Sequence, residues 1–220
     1  MPTAEDLQAW LDLQAETLDR VHASWFSRIP SALVAEARAQ PLGRRYLANQ
    51  LSSQSPLLFG LRVPEGAEAV ANLQEVARLA PMLGDALDSA LELGAMAHAP
   101  IIRTTVRRAD VKSMRTVLGA ARYERVLTAV LPELSAPAQP LFSFSGDGAS
   151  DDAVADRLIR QGAAELLHYA DRVHRAWGES VRLAFERRIW TNMPPSVLPA
   201  SSAAACLHRL AATYDGVGNG

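Results

Sequence analysis

Apolar residues recur near the start of the chain at steps averaging about three and a half positions: Leu7, Leu11, Leu18, Val21 and Trp25, with the polar Gln14 interrupting the stripe. That spacing keeps side chains on one side of an α-helix and predicts a helix with one buried face. Thr3 and Asp6 have the spacing of a capping box that opens it. Pro30, which lacks an amide donor and crowds the preceding turn, is placed to close it. Beyond Pro30, Ser31 can cap while Leu33, Val34 and Ala37 share a face, so short helices are expected over 31–54. Pro56, Gly60, Pro64 and Gly66 then punctuate a loop or brief extended segment. Helical spacing returns at Val70, Leu73, Val76 and Ala77 and, past Pro81, at Leu83, Leu87 and Leu91, which reads as two helices joined near Pro81.

Pro100 suits the first turn of a further helix, where a missing amide costs nothing. There Ile102 and Val106 lie one turn apart on one face, with Arg103 and Arg107 one turn apart beside it. Asp110 is placed to cap the next helix, which carries Val111, Met114, Val117 and Leu118 and is ended by Gly119; a third short helix follows from Ala120 to Leu131. Pro132, Pro137, Pro140 and the run "SFSGDGASDD" mark the clearest break in the chain. Ser150 caps what comes next, with Asp151 and Asp152 where the helix dipole favours negative charge. No proline intervenes before Trp190, so one long helix, or two broken near Gly162 or Gly178, is expected, and a last short helix over 202–213. Alternating strand patterns are absent. The fold class is all-α: a single compact irregular helical bundle over residues 1–214, with a Pro/Gly-rich loop near 132–150 and a flexible tail over 215–220.

Composition adds little to this picture and excludes some of its alternatives. Among 220 residues, 49% are hydrophobic and 21% charged, which is globular usage and neither disordered nor fibrous. The lone Cys206 has no disulfide partner in the chain, as suits a reducing compartment. The opening "MPTAEDLQAW" is acidic where a secretory leader is basic and then apolar, and no run approaches the ~20 apolar residues of a membrane span. A cytoplasmic protein without direct membrane insertion is expected.

Charge is segregated. Residues 1–19 hold five acids and no base, and residues 65–92 hold six acids against Arg78. Residues 103–125 hold Arg103, Arg107, Arg108, Lys112, Arg115, Arg122 and Arg125 against Asp110 and Glu124, in a chain of net charge −2. Such blocks either pair with each other inside the fold or face partners.

Catalytic and metal motifs are sparse. Glu165 and His168 form one E-x-x-H step, half of what a carboxylate-bridged di-iron bundle uses. His168, Asp171 and His174 share a broad helix face, for which a solvated polar surface is the simpler reading than zinc. His98 reads as a hydrogen-bonded histidine at a helix junction, and Cys206 as a small hydrophobe without a base to make its thiolate. "SGDGASDD" has the acids and glycines of a calcium loop without its spacing. P-loop, dinucleotide, zincin and nucleophile-elbow motifs are absent. No catalytic residue, metal or cofactor is assigned.

The basic stretch also has the outline of a helix-turn-helix. Its third helix, "ARYERVLTAVLP", offers only Arg122, Tyr123 and Arg125 as base readers, and the net charge is not that of a nucleic-acid binder. DNA binding is therefore the alternative rather than the leading reading.

The region "LELGAMAHAPIIRTTVRRADVKSMRTVLGAARYERVL", with Gly94, His98, Ile102-Arg103, Val106, Val111, Leu118-Gly119 and Tyr123, resembles the SctK (YscK, PscK) family of type III secretion accessory proteins. A looser patch, "IRQGAAELLHYADRVHRAWGESVRLAFERR", adds Gly162, Leu166, Trp177, Arg182, Leu183 and Arg187; together they span residues 91–190. The long acidic N-terminal helix and the glycine-rich tail depart from the family pattern. The resemblance implies an all-helical cytosolic adaptor of the sorting platform, at the cytosolic face of the inner membrane. It would serve protein transport in virulence by linking an SctD-like ring protein to an SctQ-like pod protein. Arg103, Arg107, Arg108, Lys112, Trp177, Arg182 and Arg187 are the expected partner-binding residues, with Arg103 and Arg107 presenting guanidinium forks outward. Internal pairing of the basic block with the acidic 65–92 segment is the competing account. Trp10 and Trp190 are further candidate anchors, against core packing for each tryptophan.

Overall fold

The computed structural model describes residues 4–60, 76, 85–130, 134, 138, 140, 141 and 150–215, and no strand occurs among them. The α-helices are α1 (Ala4–Arg20), α2 (Ser31–Arg38), α3 (Pro41–Leu51), α4 (Pro56–Phe59), α5 (Ala86–Ala97), α6 (Ala99–Thr104), α7 (Arg108–Thr128), α8 (Asp151–Val173), α9 (Arg175–Ala184) and α10 (Ala200–Asp215). Tight 3-10 turns sit at Ala23–Phe26 and Arg187–Trp190. The chain is all-α, as its periodicity predicts. Thr3 of the capping box, most of the 132–150 loop, nearly all of the helix expected before Pro81 and all but the first residue of the expected tail lie outside the described residues, whereas Leu87 and Leu91 of the helix expected after Pro81 are in α5.

The sequence reads as a single helical domain over residues 1–214, with its clearest break in the 132–150 loop. By internal packing the chain divides into two compact units: Met1–Ala86 with Tyr169–Thr191, and Leu87–His168 with Asn192–Gly220. Helix α8 contributes to both.

In the first unit, α1 buries a different face from the one its leucines suggest. Leu11 is 55% exposed and Leu7 also faces solvent, whereas Trp10, Leu13, Thr17 and Leu18 are buried. The reason is polar as well as apolar: Thr17 Oγ1 meets Ser180 Oγ of α9 at 2.7 Å, so a hydroxyl pair is built into the buried seam. Helix α1 stops at Arg20, ten residues before Pro30. There His22 turns extended (φ −64°, ψ 139°), its amide reaches the Leu183 carbonyl at 2.8 Å, and its ring accepts from Ser24 N. Val21, Trp25, Phe26, Val34, Leu47 and Leu51 then close a core with Leu183. Full burial of such a side chain stabilises by about 1.5–3 kcal/mol.

In the second unit, α5 and α8 approach through glycine. A Cβ on Gly94 would lie 2.0 Å from the Leu158 carbonyl oxygen, and one on Gly162 would lie 1.7 Å from the Ala90 oxygen. Gly162 therefore does not break α8; it lets α8 pass another backbone. The break comes at His174, where the chain turns extended and the His174 ring caps α9 by accepting from Ala176 N at 3.2 Å. Ser150 caps the other end of α8, accepting from Ala153 N at 3.3 Å. Within α7, Gly119 leaves the helix at φ 73°, ψ 160°, which side-chain-bearing residues rarely adopt, so the helix end read there is present as a sharp kink.

Candidate functional site

The expected partner-binding residues fall into both units. Arg103, Arg107, Arg108 and Lys112 belong to the second, and Trp177, Arg182 and Arg187 to the first.

Helix α6 ends at Thr104, and residues 105–107 are non-helical, with Thr105 at φ −74°, ψ 120°. Arg103 and Arg107 are thus not neighbours on one helix. Arg103 turns inward: its Nε donates to the Val126 carbonyl at 2.9 Å and its Nη2 to the Ala129 carbonyl. Those carbonyls end α7, where the helix leaves acceptors unpaired and its dipole favours a cation. This overturns the outward guanidinium fork expected of Arg103. Ile102 is buried, but Val106 is 92% exposed because the chain has left the helix between them. Arg107, Arg108 and Lys112 are exposed as well. Asp110 does not cap α7; the N-cap position is Arg107, and Asp110 is buried in the first turn.

The acidic segment does pair internally, but with other arginines. Arg122 Nε lies 3.0 Å from Glu92, and its Nη2 pairs with Asp88. Arg125 Nη2 lies 2.9 Å from the same buried Glu92 carboxylate. Breaking a buried pair by removing one partner costs about 3–5 kcal/mol. Tyr123 is buried beneath the Arg115 guanidinium, 5.3 Å from its ring centroid. All three base readers of the helix-turn-helix alternative are therefore engaged within the protein.

In the first unit, Trp177 is fully buried and packs edge-on against Tyr169 at 6.0 Å. It is core, not an anchor, and Trp10 is buried likewise beside His174. Arg182 and Arg187 are brought together as the sequence reading did not foresee. Their guanidinium carbons lie 5.9 and 5.6 Å from the centroid of Trp25. The half-buried Trp190 donates from Nε1 to the Arg182 carbonyl at 2.9 Å and sets its ring edge-on to Phe185. An open cleft of about 380 Å³ results, lined by Trp25, Gln54, Arg182, Arg187, Trp190 and Thr191. Arg182 Nη2 donates to the Gln54 carbonyl, while Arg182 Nε and Gln54 Oε1 are buried without hydrogen-bond partners. Trp25 and Gln54 were missed because neither belongs to a charged run or motif; a tryptophan in an N-terminal stripe reads only as core.

The candidate metal and nucleophile residues serve structure. Glu165 is 1% exposed and accepts from Val197 N (2.7 Å), Leu198 N (3.1 Å), Ser196 Oγ (2.6 Å) and Gln161 Nε2 (2.7 Å). His168 is exposed, so the E-x-x-H pair does not converge. No cluster of three or more metal-ligating side chains occurs among the described residues. His98 Nδ1 meets the Gly94 carbonyl at 2.8 Å at the α5–α6 junction and therefore carries the donated proton. Cys206 is buried, and that burial pushes its thiol above the ordinary range. Among the described residues, no helix is long and apolar enough to cross a membrane. Comparison with protein families, with curated proteins and with solved structures finds no match.

Proposed function

We propose that the chain is a non-enzymatic adaptor of a type III secretion injectisome, joining an SctD-like inner-membrane ring protein to an SctQ-like pod protein. The sequence resemblance supplies the partners. The structural observation that supports an adaptor is the α6–α7 junction, where Val106 is exposed and Arg107, Arg108 and Lys112, which follow it closely in the chain, are exposed too, in a net acidic protein. An exposed apolar side chain near exposed cations in the chain suits an acidic partner surface, because the charges steer encounter and the apolar contact gains from losing water.

Co-expression with the SctD-like and SctQ-like proteins of the same genome tests the reading. Both are expected to co-purify, with capture falling as salt rises. The triple reversal Arg107→Glu, Arg108→Glu and Lys112→Glu is expected to abolish capture of one partner while the circular dichroism spectrum stays unchanged. Capture of neither partner, or capture indifferent to the triple reversal, refutes it.

A further inference from the structure

We propose that the cleft over Trp25 is a docking site for a carboxylate-bearing peptide segment of a partner protein, a proposal that does not rest on the secretion reading. Two guanidiniums and no carboxylate line the cleft. Each lies within reach of the same indole ring, so the two like charges share one small space. The neighbouring Arg188 is neutralised by Glu186 at 2.6 Å. Among the described residues, Arg187 has its guanidinium over Trp25 and in no ion pair, and the side chain is exposed. Nearby Glu179 is already committed, accepting from Leu57 N and Leu58 N at 3.1 Å each. Glu179 offsets part of the Arg182 charge, so the cation left without an internal counter-ion in the cleft is Arg187.

The other lining groups narrow the class of ligand. Gln54 Oε1 is a buried acceptor with no donor, and Arg182 Nε a buried donor with no acceptor. A peptide with an acidic side chain supplies an acceptor for the exposed Arg187 guanidinium together with a chain that can run along the open cleft. A fully ionised phosphate offers acceptors only. The planar guanidinium fork matches a carboxylate in two parallel bonds. Trp25 and Trp190 give aromatic surface for a side chain beside the acid, and arginine and tryptophan are the residues that dominate binding hot spots. The volume of about 380 Å³ falls in the range of small-ligand sites, about 300–1,000 Å³, and the cleft's open mouth lets a chain pass across it.

The test selects a random linear peptide library on the immobilised full chain, then measures an enriched peptide in solution by fluorescence anisotropy. Enriched peptides are expected to share an aspartate or glutamate beside an apolar residue. Arg187→Gln is expected to weaken binding about tenfold or more, the loss of one charge-assisted interaction, and amidating the peptide's carboxylate to do the same. Inorganic phosphate is not expected to displace the peptide. Should Arg187→Gln alter the thermal midpoint, Arg187→Lys retains charge and ring contact, loses the fork, and is still expected to bind more weakly. No enrichment, enrichment without acidic residues, affinity unchanged in both variants, or displacement by phosphate alone, which marks a simple anion site, each overturns the proposal.

Discussion

Replacing Glu165 with alanine removes the acceptor that holds the amides of Val197 and Leu198 at 2.7 and 3.1 Å. Both amides are buried, and an orphaned buried donor costs about 1–3 kcal/mol, so the pair alone sets a loss of about 2–6 kcal/mol. Gln161 keeps a second acceptor, the Pro195 carbonyl at 3.0 Å, and half-buried Ser196 can turn to water, so neither adds much. Relief of the carboxylate's own desolvation pulls the total downward. We expect a net loss of about 2–4 kcal/mol, a large share of the ~5–15 kcal/mol that holds a typical domain together.

Urea unfolding followed by far-ultraviolet circular dichroism and by tryptophan fluorescence reads this loss and locates it. Trp10, Trp25, Trp177 and Trp190 all belong to the first unit, whereas Glu165 belongs to the second. If the units unfold separately, the substitution moves the dichroism transition and leaves the fluorescence transition in place; if they unfold together, both move. His168→Ala, at an exposed position, is expected to change stability by less than about 0.5 kcal/mol. A loss below about 1 kcal/mol in Glu165→Ala, or an equal loss in His168→Ala, would show that the carboxylate does not clamp residues 196–198 and would reopen a joint role for the pair.

Gly94→Ala puts a methyl group 2.0 Å from a backbone oxygen of α8, which no rotamer relieves, so the thermal midpoint should fall with a loss of about 2–3 kcal/mol. Arg103→Glu is expected to destabilise by about 2–3 kcal/mol by placing a like charge at the α7 C-terminus, while exposed Arg108→Glu stays within about 0.5 kcal/mol in the same melt. Burial, outweighing its amide hydrogen bonds and Arg182, raises the Glu179 pKa, so the folded state holds its proton to higher pH than the unfolded chain. That contribution is complete below the unfolded value near 4.3 and is lost as pH rises through the folded pKa. Glu179→Gln should flatten the stability profile across that window, and an unchanged profile would remove Glu179 from the account.

What the sequence made legible were features set by local chemistry. Gly119 ends a helix because of its own backbone freedom, Ser150 caps because its hydroxyl reaches an amide three residues on, and Pro100 sits in a first turn because it has no amide to lose. What it hid depended on partners distant in the chain. The buried face of α1 contains Thr17, which counts as polar until Ser180 is known to oppose it. Glu165 and His168 are only about 60° apart around α8, yet that is enough to put one under the 195–198 segment and the other in water. Likewise, Arg182 and Arg187 are five positions apart and meet only because α9 ends at Ala184 before the Arg187–Trp190 turn begins.

The basic stretch shows why a charge count along a sequence overstates a charged surface. Seven cations lie between 103 and 125, and geometry divides them. Arg122 and Arg125 neutralise Asp88 and Glu92 within the second unit, and Arg103 faces the carbonyls that end α7. Arg107, Arg108, Lys112 and Arg115 stay exposed. A polyanion is felt through the number of its charges that a surface neutralises, with a salt slope of about −0.9 per phosphate on duplex DNA. Four exposed cations, one of them over the Tyr123 ring, therefore set a shallower salt dependence than seven would. The same four suit a protein surface with a few carboxylates, where contact with Val106 adds what charge alone does not. The spent arginines, in turn, fix α7 against α5 and hold the exposed ones in place, so charge reversal at Arg122 should be read out as unfolding and reversal at Arg108 as lost binding.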